Sequence, residues 1–116
     1  MKTTLVIFLL FLSFSSQAQT VALDSAKNYI GKEITVCGQV QGTYIGKSDN
    51  TVFLNFGHDY PNQVFSVIIF SDDAKKFADN PATLFKEKNV CVTGTVKEYK
   101  GKVEIVVTKV EQLRLQ

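Results

Sequence analysis

Apolar and polar residues alternate along most of the chain, which is the pattern of strands with one buried face. Five such segments are rich in β-branched and aromatic residues, namely 33–44, 51–57, 64–70, 89–97 and 102–110. The connections IGKSDN, HDYPNQ and EYKG are short and carry Gly, Asn, Asp or Pro, which are the residues of hairpin turns. The pattern therefore predicts five strands, joined mainly by hairpins.

Two other segments have helical signals. Before the first strand, Asp24 is placed to cap a short helix that Gly31 ends. Between the third and fourth strands, segment 71–73 (Ser-Asp-Asp) starts a second helix, which Asn80-Pro81 breaks before a further turn. The predicted order of elements is therefore strand, strand, strand, helix, strand, strand.

The first strand is long and contains Gly38 and Gly42, which allow a bulge or a sharp coil. A small closed barrel needs such a strand, because its first strand must pair in both halves. The sequence predicts an all-β fold, a five-stranded OB-fold β-barrel with a helix between strands three and four and a short N-terminal helix.

Segments 34–40 (ITVCGQV) and 90–96 (VCVTGTV) share one pattern, and the first and fourth strands of an OB barrel are antiparallel neighbours. Placing Cys37 opposite Cys91 gives a register in which like residues meet on both faces. The residues that this register places in the core are Ile34, Val36, Val90 and Val92.

The same register brings Cys37 and Cys91 into direct contact on the outer face, so a disulfide between them is predicted. The alternative is a pair of reduced thiols side by side. A catalytic thiol role is disfavoured, since no Cys-x-x-Cys is present.

The N-terminus has the features of a secretory signal peptide. Lys2 is followed by the apolar run LVIFLLFL and then by small residues that end at Ala18. The alternative, a transmembrane anchor, is disfavoured because the run is shorter than the roughly 20 residues that span a bilayer. Residues 1–18 are predicted to be cleaved from an OB-fold domain of residues 19–116. The domain is then periplasmic or secreted, with no transmembrane anchor, and an oxidising compartment suits the disulfide.

Charge argues against a strong polyanion binder. Removing residues 1–18 takes away only Lys2, so 12 basic and 11 acidic side chains remain, a net charge of +1. Domains that grip nucleic acid usually have a marked basic excess.

Three stretches carry a resemblance to known proteins: YIGKEITVCGQVQGTY, TVFLNFGHDYPNQVFSVII and VCVTGTVKEYKGKVEIVV. Together they resemble small secreted bacterial OB-fold proteins of the tRNA-anticodon-binding-like family, and the OB module of some thermonuclease-like proteins. The resemblance covers residues 25 to 113 and consists of strand and turn patterns. It implies nucleic-acid binding by analogy, and it implies the fold more than an activity.

OB barrels bind ligands on the outer face of strands two and three, between the loops that join strands one to two and four to five. Aromatic side chains there can stack on bases or sugars, and lysines can meet phosphates. The predicted ligand-binding residues are Tyr44, Lys47, Phe53, Asn55, Ser66, Ile68, Lys97, Tyr99, Lys100 and Lys102. The alternative is an ordinary solvated hairpin end, with Tyr99 over the barrel mouth and Phe53 covered by a terminal segment.

Catalytic chemistry is not favoured. His58 is the only histidine, its neighbour Asp59 points away on an extended chain, and no Gly-x-Ser-x-Gly elbow occurs. The sole arginine is Arg114, so the arginine clamp of thermonuclease chemistry is missing. We expect no enzyme activity, no cofactor and no metal.

The sequence therefore predicts an exported, non-enzymatic OB-fold binding module of the bacterial envelope, with its ligand undetermined. The first alternative is a binder of single-stranded nucleic acid, and the second is a protein–protein interaction module. The partners that fit these readings are an oligonucleotide, an oligosaccharide or an envelope protein. The oligomeric state is left open.

Overall fold

A computed structural model describes residues 18–116 of the chain. Residues 1–17, which hold nearly all of the predicted signal peptide, lie outside the described residues. The strands are β1 (Gln19–Val21), β2 (Glu33–Ile45), β3 (Val52–Phe56), β4 (Phe65–Ile69), β5 (Asn89–Tyr99), β6 (Lys102–Val106) and β7 (Leu113–Leu115). The helices are α1 (Ser71–Ala74), α2 (Pro81–Leu84) and two 3₁₀ helices, Leu23–Tyr29 and Val110–Gln112.

Five of the strands close into a barrel. Neighbouring strands follow the order β2, β3, β4, β6, β5, and β2 pairs with β5 to complete the ring. The β4–β6 pair is parallel and the other four pairs are antiparallel. This is the five-stranded OB-fold that the sequence predicts.

Strand β2 pairs in both halves of the barrel. Segment 33–39 pairs with β5, and Val40–Ile45 pairs with β3. The register with β3 shifts between Val40 and Gly42, so one of the two predicted glycines lies at an irregularity of the ladder. The shift allows one long strand to turn from one sheet into the next.

The predicted register between β2 and β5 is confirmed. Cys37 lies opposite Cys91, and Thr35 lies opposite Thr93. The two cysteines form a disulfide, with their Cα atoms 4.0 Å apart. The four residues predicted to face the core in this register, Ile34, Val36, Val90 and Val92, are at most 1% exposed.

Strands β3 and β4 supply the opposite wall of the core. Their inward residues alternate along each strand and all belong to one buried cluster, namely Val52, Leu54, Phe56, Phe65, Val67 and Ile69. The rings of Phe56 and Phe65 meet edge to face, with centroids 5.7 Å apart. The core is therefore shared by both halves of the barrel.

Two short strands, β1 and β7, were not predicted. Strand β1 runs parallel to residues 34–36 of β2, and β7 runs antiparallel to residues 90–92 of β5. They cover strand edges that the coiled barrel leaves unpaired. Three residues are too few to show an alternation, which explains why the sequence pattern missed them.

The first predicted helix forms as a 3₁₀ helix, Leu23–Tyr29, and the second forms as two short helices, α1 and α2. Asp24 does not cap the first helix, because Leu23 packs against the core and starts a 3₁₀ turn around Ala22 instead. Gly31, with φ +85°, follows the helix as predicted. The second segment divides into α1 and α2, and the Asn80 side chain accepts a hydrogen bond from Ala82 N at 2.9 Å. No described helix is long and apolar enough to cross a membrane.

The last strand of the barrel ends at Val106 and not at residue 110, as the pattern predicted. The side chain of Gln112 explains the early end. Its Oε1 atom accepts hydrogen bonds from Thr108 N at 2.8 Å and Lys109 N at 2.9 Å, and its Nε2 atom donates to Thr93 O at 3.0 Å. These bonds turn the chain away from β4 and hold the turn against β5.

Candidate ligand-binding face

Two rows of side chains cross the outer surface of β2, β3, β4, β6 and β5, and we call them together the candidate face. Strand pairing aligns an apolar row of Tyr44, Phe53, Ile68 and Val106. The adjacent polar row consists of Asn55, Ser66, Glu104 and Lys97. None of these residues belongs to the buried core cluster, because side chains alternate between the two faces of a strand.

The apolar row offers ring surface mainly at one end. Tyr44 is 51% exposed, Phe53 is partly exposed, and their ring centroids lie 5.9 Å apart. Ile68 is only 6% exposed, since larger neighbours cover it. Within the apolar row, Tyr44 is therefore the most accessible residue.

Asn55 and Ser66 form the centre of the polar row. The Ser66 hydroxyl donates a hydrogen bond to Asn55 Oδ1 at 2.8 Å. Both residues are at most 5% exposed, so their contact with a ligand would involve few atoms. The bond occupies the amide oxygen, which leaves the amide nitrogen as the donor of Asn55.

Glu104 lies between Ser66 and Lys97 in the polar row, and the sequence analysis did not select it. Burial raises the pKa of its carboxyl above the ordinary value, while the positive charge of Lys97 lowers it in part. Within residues 18–116, no hydrogen bond or ion pair is formed by this carboxylate. The alternation in KVEIVV marks Glu104 as outward-facing, but its neighbours become evident only when β6 is aligned with β4.

The predicted lysines are all exposed and surround the candidate face. Lys47 lies in the β2–β3 loop, and Lys97, Lys100 and Lys102 lie on the β5–β6 hairpin with Tyr99. The Lys100 ammonium lies 5.4 Å from the Tyr99 ring centroid. Lys102 Nζ donates hydrogen bonds to the backbone oxygens of Pro61 at 3.1 Å and Gln63 at 3.4 Å.

These bonds place the β3–β4 loop, residues 57–64, beside the same hairpin. Asp59 packs directly on Gly42 of β2, where any Cβ atom would overlap its carboxylate. Asp59 Oδ1 also accepts a hydrogen bond from Tyr60 N at 2.8 Å. Tyr60 is 73% exposed and is a second residue that the sequence analysis did not select.

His58 is exposed in this loop, next to an Asp59 carboxylate that is already engaged. The loop turn is closed by a backbone bond from Asn62 N to Asp59 O at 2.9 Å.

A groove of about 710 Å³ continues the candidate face past Lys97 and Val106. Its wall on one side is β5, and on the other it is the turn that Gln112 holds. The remaining lining residues are Glu33, Thr93, Gly94, Thr95, Thr108, Lys109, Glu111 and Gln112. Two glutamates and two lysines balance each other there, and three threonines supply hydroxyl groups.

The described residues contain no group of three or more His, Cys, Asp or Glu side chains that could hold a metal ion. The chemistry available at the candidate face is therefore stacking, hydrogen bonding and charge, supplied by the side chains of the two rows and the adjoining groove.

Comparison with protein-family models finds no match, and comparison with curated protein sequences finds none either. Solved structures do resemble the chain. OBody AM1L10 bound to hen egg-white lysozyme aligns with a TM-score of 0.58 and 22% identity, over 86% of this chain and 95% of that one. The aspartyl tRNA synthetase from Entamoeba histolytica aligns with a TM-score of 0.61 and 18% identity, over 88% of this chain.

The asparaginyl-tRNA synthetase from Pyrococcus horikoshii aligns with a TM-score of 0.57 and 17% identity, over 85% of this chain. The chain spans only 22% and 23% of the Entamoeba and Pyrococcus synthetase chains. At these identities the similarity shows a shared OB-fold, and it leaves the function to be argued from the face itself.

Proposed function

We propose that the protein is a non-enzymatic OB-fold binding module, exported to the bacterial envelope, that holds its ligand on the candidate face. The observation that carries this proposal is the alignment of the apolar row with the polar row outside the core. Tyr44 offers an exposed ring there, and Glu104 offers a carboxylate that accepts no hydrogen bond within the described part of the chain. Such a combination of ring and polar groups suits the recognition of a ligand.

Export is supported by the disulfide. Cys37 and Cys91 are bonded, and disulfides persist in oxidising compartments such as the bacterial periplasm. The apolar run and small residues before Gln19 support the same location from the sequence.

Binding without catalysis is supported by the surroundings of His58. General acid–base catalysis requires a base held in position by a third group. The neighbouring Asp59 carboxylate instead accepts a bond from its own loop and packs on Gly42.

Single-stranded nucleic acid is the second candidate ligand. Lys97, Lys100 and Lys102 are exposed on the hairpin with Tyr99, and Lys47 is exposed in the loop that follows Tyr44. Such lysines and rings can meet phosphates and stack bases. Two of the structural neighbours are tRNA synthetases, whereas another is an OBody bound to a protein, lysozyme. Exposed Ile45 and Phe70 beside the face would serve a protein partner in the same way.

The test is a nuclear magnetic resonance titration of the isotope-labelled protein with its disulfide intact. The probes are the oligonucleotide dT12, cellohexaose and hen egg-white lysozyme. We expect one probe to shift the amide signals of β3, β4 and β6, and Tyr44→Ala to weaken its binding about tenfold, a loss of about 1.4 kcal/mol.

The matched control is Leu115→Ala, which removes a side chain that is 60% exposed on the far strand β7. It should leave the affinity unchanged. Shifts confined to β1, β5 and β7, or a Tyr44→Ala variant that binds as well as the wild type, would contradict the proposal.

A further inference from the structure

The candidate face carries two carboxylates, whose negative charge disfavours a polyanion. Glu104 lies between Ser66 and Lys97 in the polar row, and Asp59 lies on Gly42 beside Asn55 at the other end of that row. A chain of phosphates laid across the strands would bring like charges together, which costs binding energy.

The lysines of the β5–β6 hairpin also have partners within the molecule. Lys102 donates to two backbone oxygens of the β3–β4 loop, and Lys100 lies over the Tyr99 ring. Lys97 lies beside Glu104 in the ladder, where each charge reduces the field of the other. Only Lys47, on the β2–β3 loop, lacks such a partner among the predicted lysines.

We infer that the ligand of the candidate face is an uncharged oligosaccharide, which crosses the strands from Tyr44 to the groove beside Lys97. This inference rests on the proposed function and adds the chemical class of the ligand.

The polar row has the groups that sugar hydroxyls require. The exposed Lys97 ammonium is a donor, and the partly exposed Glu104 carboxylate is an acceptor. The nearly covered Asn55 nitrogen and Ser66 oxygen add one donor and one acceptor through few atoms. A sugar hydroxyl can donate and accept at once, so neighbouring hydroxyls can satisfy such a mixed row. The hydroxyl–carboxylate bond is charge-assisted and stronger than a neutral one. The Glu104 carboxylate, which accepts no hydrogen bond within residues 18–116, gains most from it.

The dimensions of the face suit a chain of several sugar rings. The polar row crosses four adjacent strands, or roughly 14 Å at about 4.8 Å per strand. The apolar row runs beside it, so that Tyr44 and Phe53 can pack on the apolar faces of the rings.

The groove extends this track without adding net charge. Thr95 supplies a hydroxyl on the β5 wall, the Thr108 hydroxyl oxygen can accept on the opposite wall, and the glutamates and lysines around them cancel. A neutral hydroxylated chain can therefore continue past Val106 with hydrogen-bonding partners on both walls.

Calorimetric titration of the wild-type protein with cellohexaose, the fully N-acetylated chitohexaose and dT12, each at 50 and 500 mM NaCl, tests the inference. We expect at least one of the two neutral hexasaccharides to bind with an affinity that changes less than twofold between the two salt concentrations. The binding of dT12 should be weaker and should disappear in high salt.

Glu104→Gln should weaken the binding of the hexasaccharide at least tenfold, because an amide is a poorer hydrogen-bond acceptor than a carboxylate. The matched control is Glu98→Gln, an exposed glutamate on the next strand whose ladder partner Val103 packs on the core. It should leave the affinity unchanged. Because Glu104→Gln could alter the fold, Lys97→Met provides a second variant, with exposed Lys88→Met as its control. We expect Lys97→Met, but not Lys88→Met, to weaken the binding of the hexasaccharide severalfold at both salt concentrations.

The outcomes separate this inference from the proposed function. If dT12 binds tightly at low salt, and Glu104→Gln strengthens that binding, the face binds a polyanion and only the sugar inference is overturned. If lysozyme binds, Tyr44→Ala abolishes that binding and neither sugar binds, then the face binds a protein. Again, only the sugar inference is overturned. If no probe binds the candidate face, both proposals fail.

Discussion

The two sides of the barrel differ in how far their polar groups are bonded within the molecule. We call the first side the disulfide half; it comprises β1, β7, segment 33–39 of β2 and segment 89–95 of β5. There, the Thr35 and Thr93 hydroxyls are hydrogen-bonded at 2.7 Å, the cysteines are bonded to each other, and short strands cover the edges. On the candidate face, by contrast, the Glu104 carboxylate accepts no hydrogen bond from any described residue, and Tyr44 is exposed.

The difference separates stability from recognition. Groups that are satisfied inside the molecule hold the fold together, because a bond already made has little to gain from a ligand. Polar groups that lack a hydrogen-bond partner lower the stability of the free protein. A ligand that bonds to them recovers that free energy. Under the proposed function, the disulfide half serves as the scaffold, and the candidate face keeps the groups that a ligand can satisfy.

The largest expected effect comes from the core that both sides share. Phe65→Ala should lower the free energy of unfolding by about 3–5 kcal/mol, because it leaves a cavity beside Phe56. Urea unfolding, followed by circular dichroism and by tyrosine fluorescence, should show one transition that moves to lower urea. Two separate transitions would show that the two sides fold independently, and the comparison would then describe two units.

Removal of the disulfide should act on one side only. The Cys37→Ala, Cys91→Ala double variant should lose about 2–4 kcal/mol, since the bond closes a loop with a sequence separation of 54. Ligand affinity at the candidate face should stay within twofold of the wild type once the variant is folded. Intact mass should rise by two protons when the wild type is reduced, and no such rise would contradict the bond.

The threonine pair allows a finer test of the scaffold. Thr35→Val leaves the Thr93 hydroxyl without its partner and should cost about 1 kcal/mol. Thr35→Val combined with Thr93→Val should recover most of that loss, because both polar groups are then gone. Urea unfolding of the single and double variants measures the coupling. Additive losses would indicate that the hydroxyls do not depend on each other.

The smallest expected effect is a pH dependence at Glu104. Burial raises the pKa of its carboxyl in the folded protein above the ordinary value of 4.5, so the folded state binds the proton more tightly than the unfolded state. Stability from this group is present below pH 4.5 and is lost as pH rises through the folded pKa. The wild type should therefore lose stability relative to Glu104→Gln between pH 4 and pH 7, by urea unfolding. A constant difference would contradict the raised pKa.

Much of the barrel could be predicted from the sequence because its signals are local or symmetrical. Alternation identified all five barrel strands, and the matching segments around Cys37 and Cys91 fixed the register that closes the ring. Long runs of β-branched residues give strong signals of this kind. The ends of elements were less certain, since bonds from distant residues set them, as Gln112 does for β6.

The candidate site was predicted only in part. Tyr44 and Phe53 follow from the alternation on two neighbouring strands, whereas Glu104 enters the site through the parallel pairing of β4 with β6. Sequence distance hides such a neighbour. Tyr60 lies near the hairpin only because Lys102 holds the β3–β4 loop there. The alternation also could not predict solvent accessibility. It marked Asn55 and Ser66 as outward-facing, whereas the structure shows both nearly covered.

The pairing of β1 and β7 has a practical consequence. Both terminal strands lie on the disulfide half and pair with neither β3 nor β4. A tag or a biotinylated extension joined after Gln116 would therefore leave the barrel away from Tyr44 and Glu104. Protein immobilised through that end on a sensor surface should present its free side to dissolved sugars.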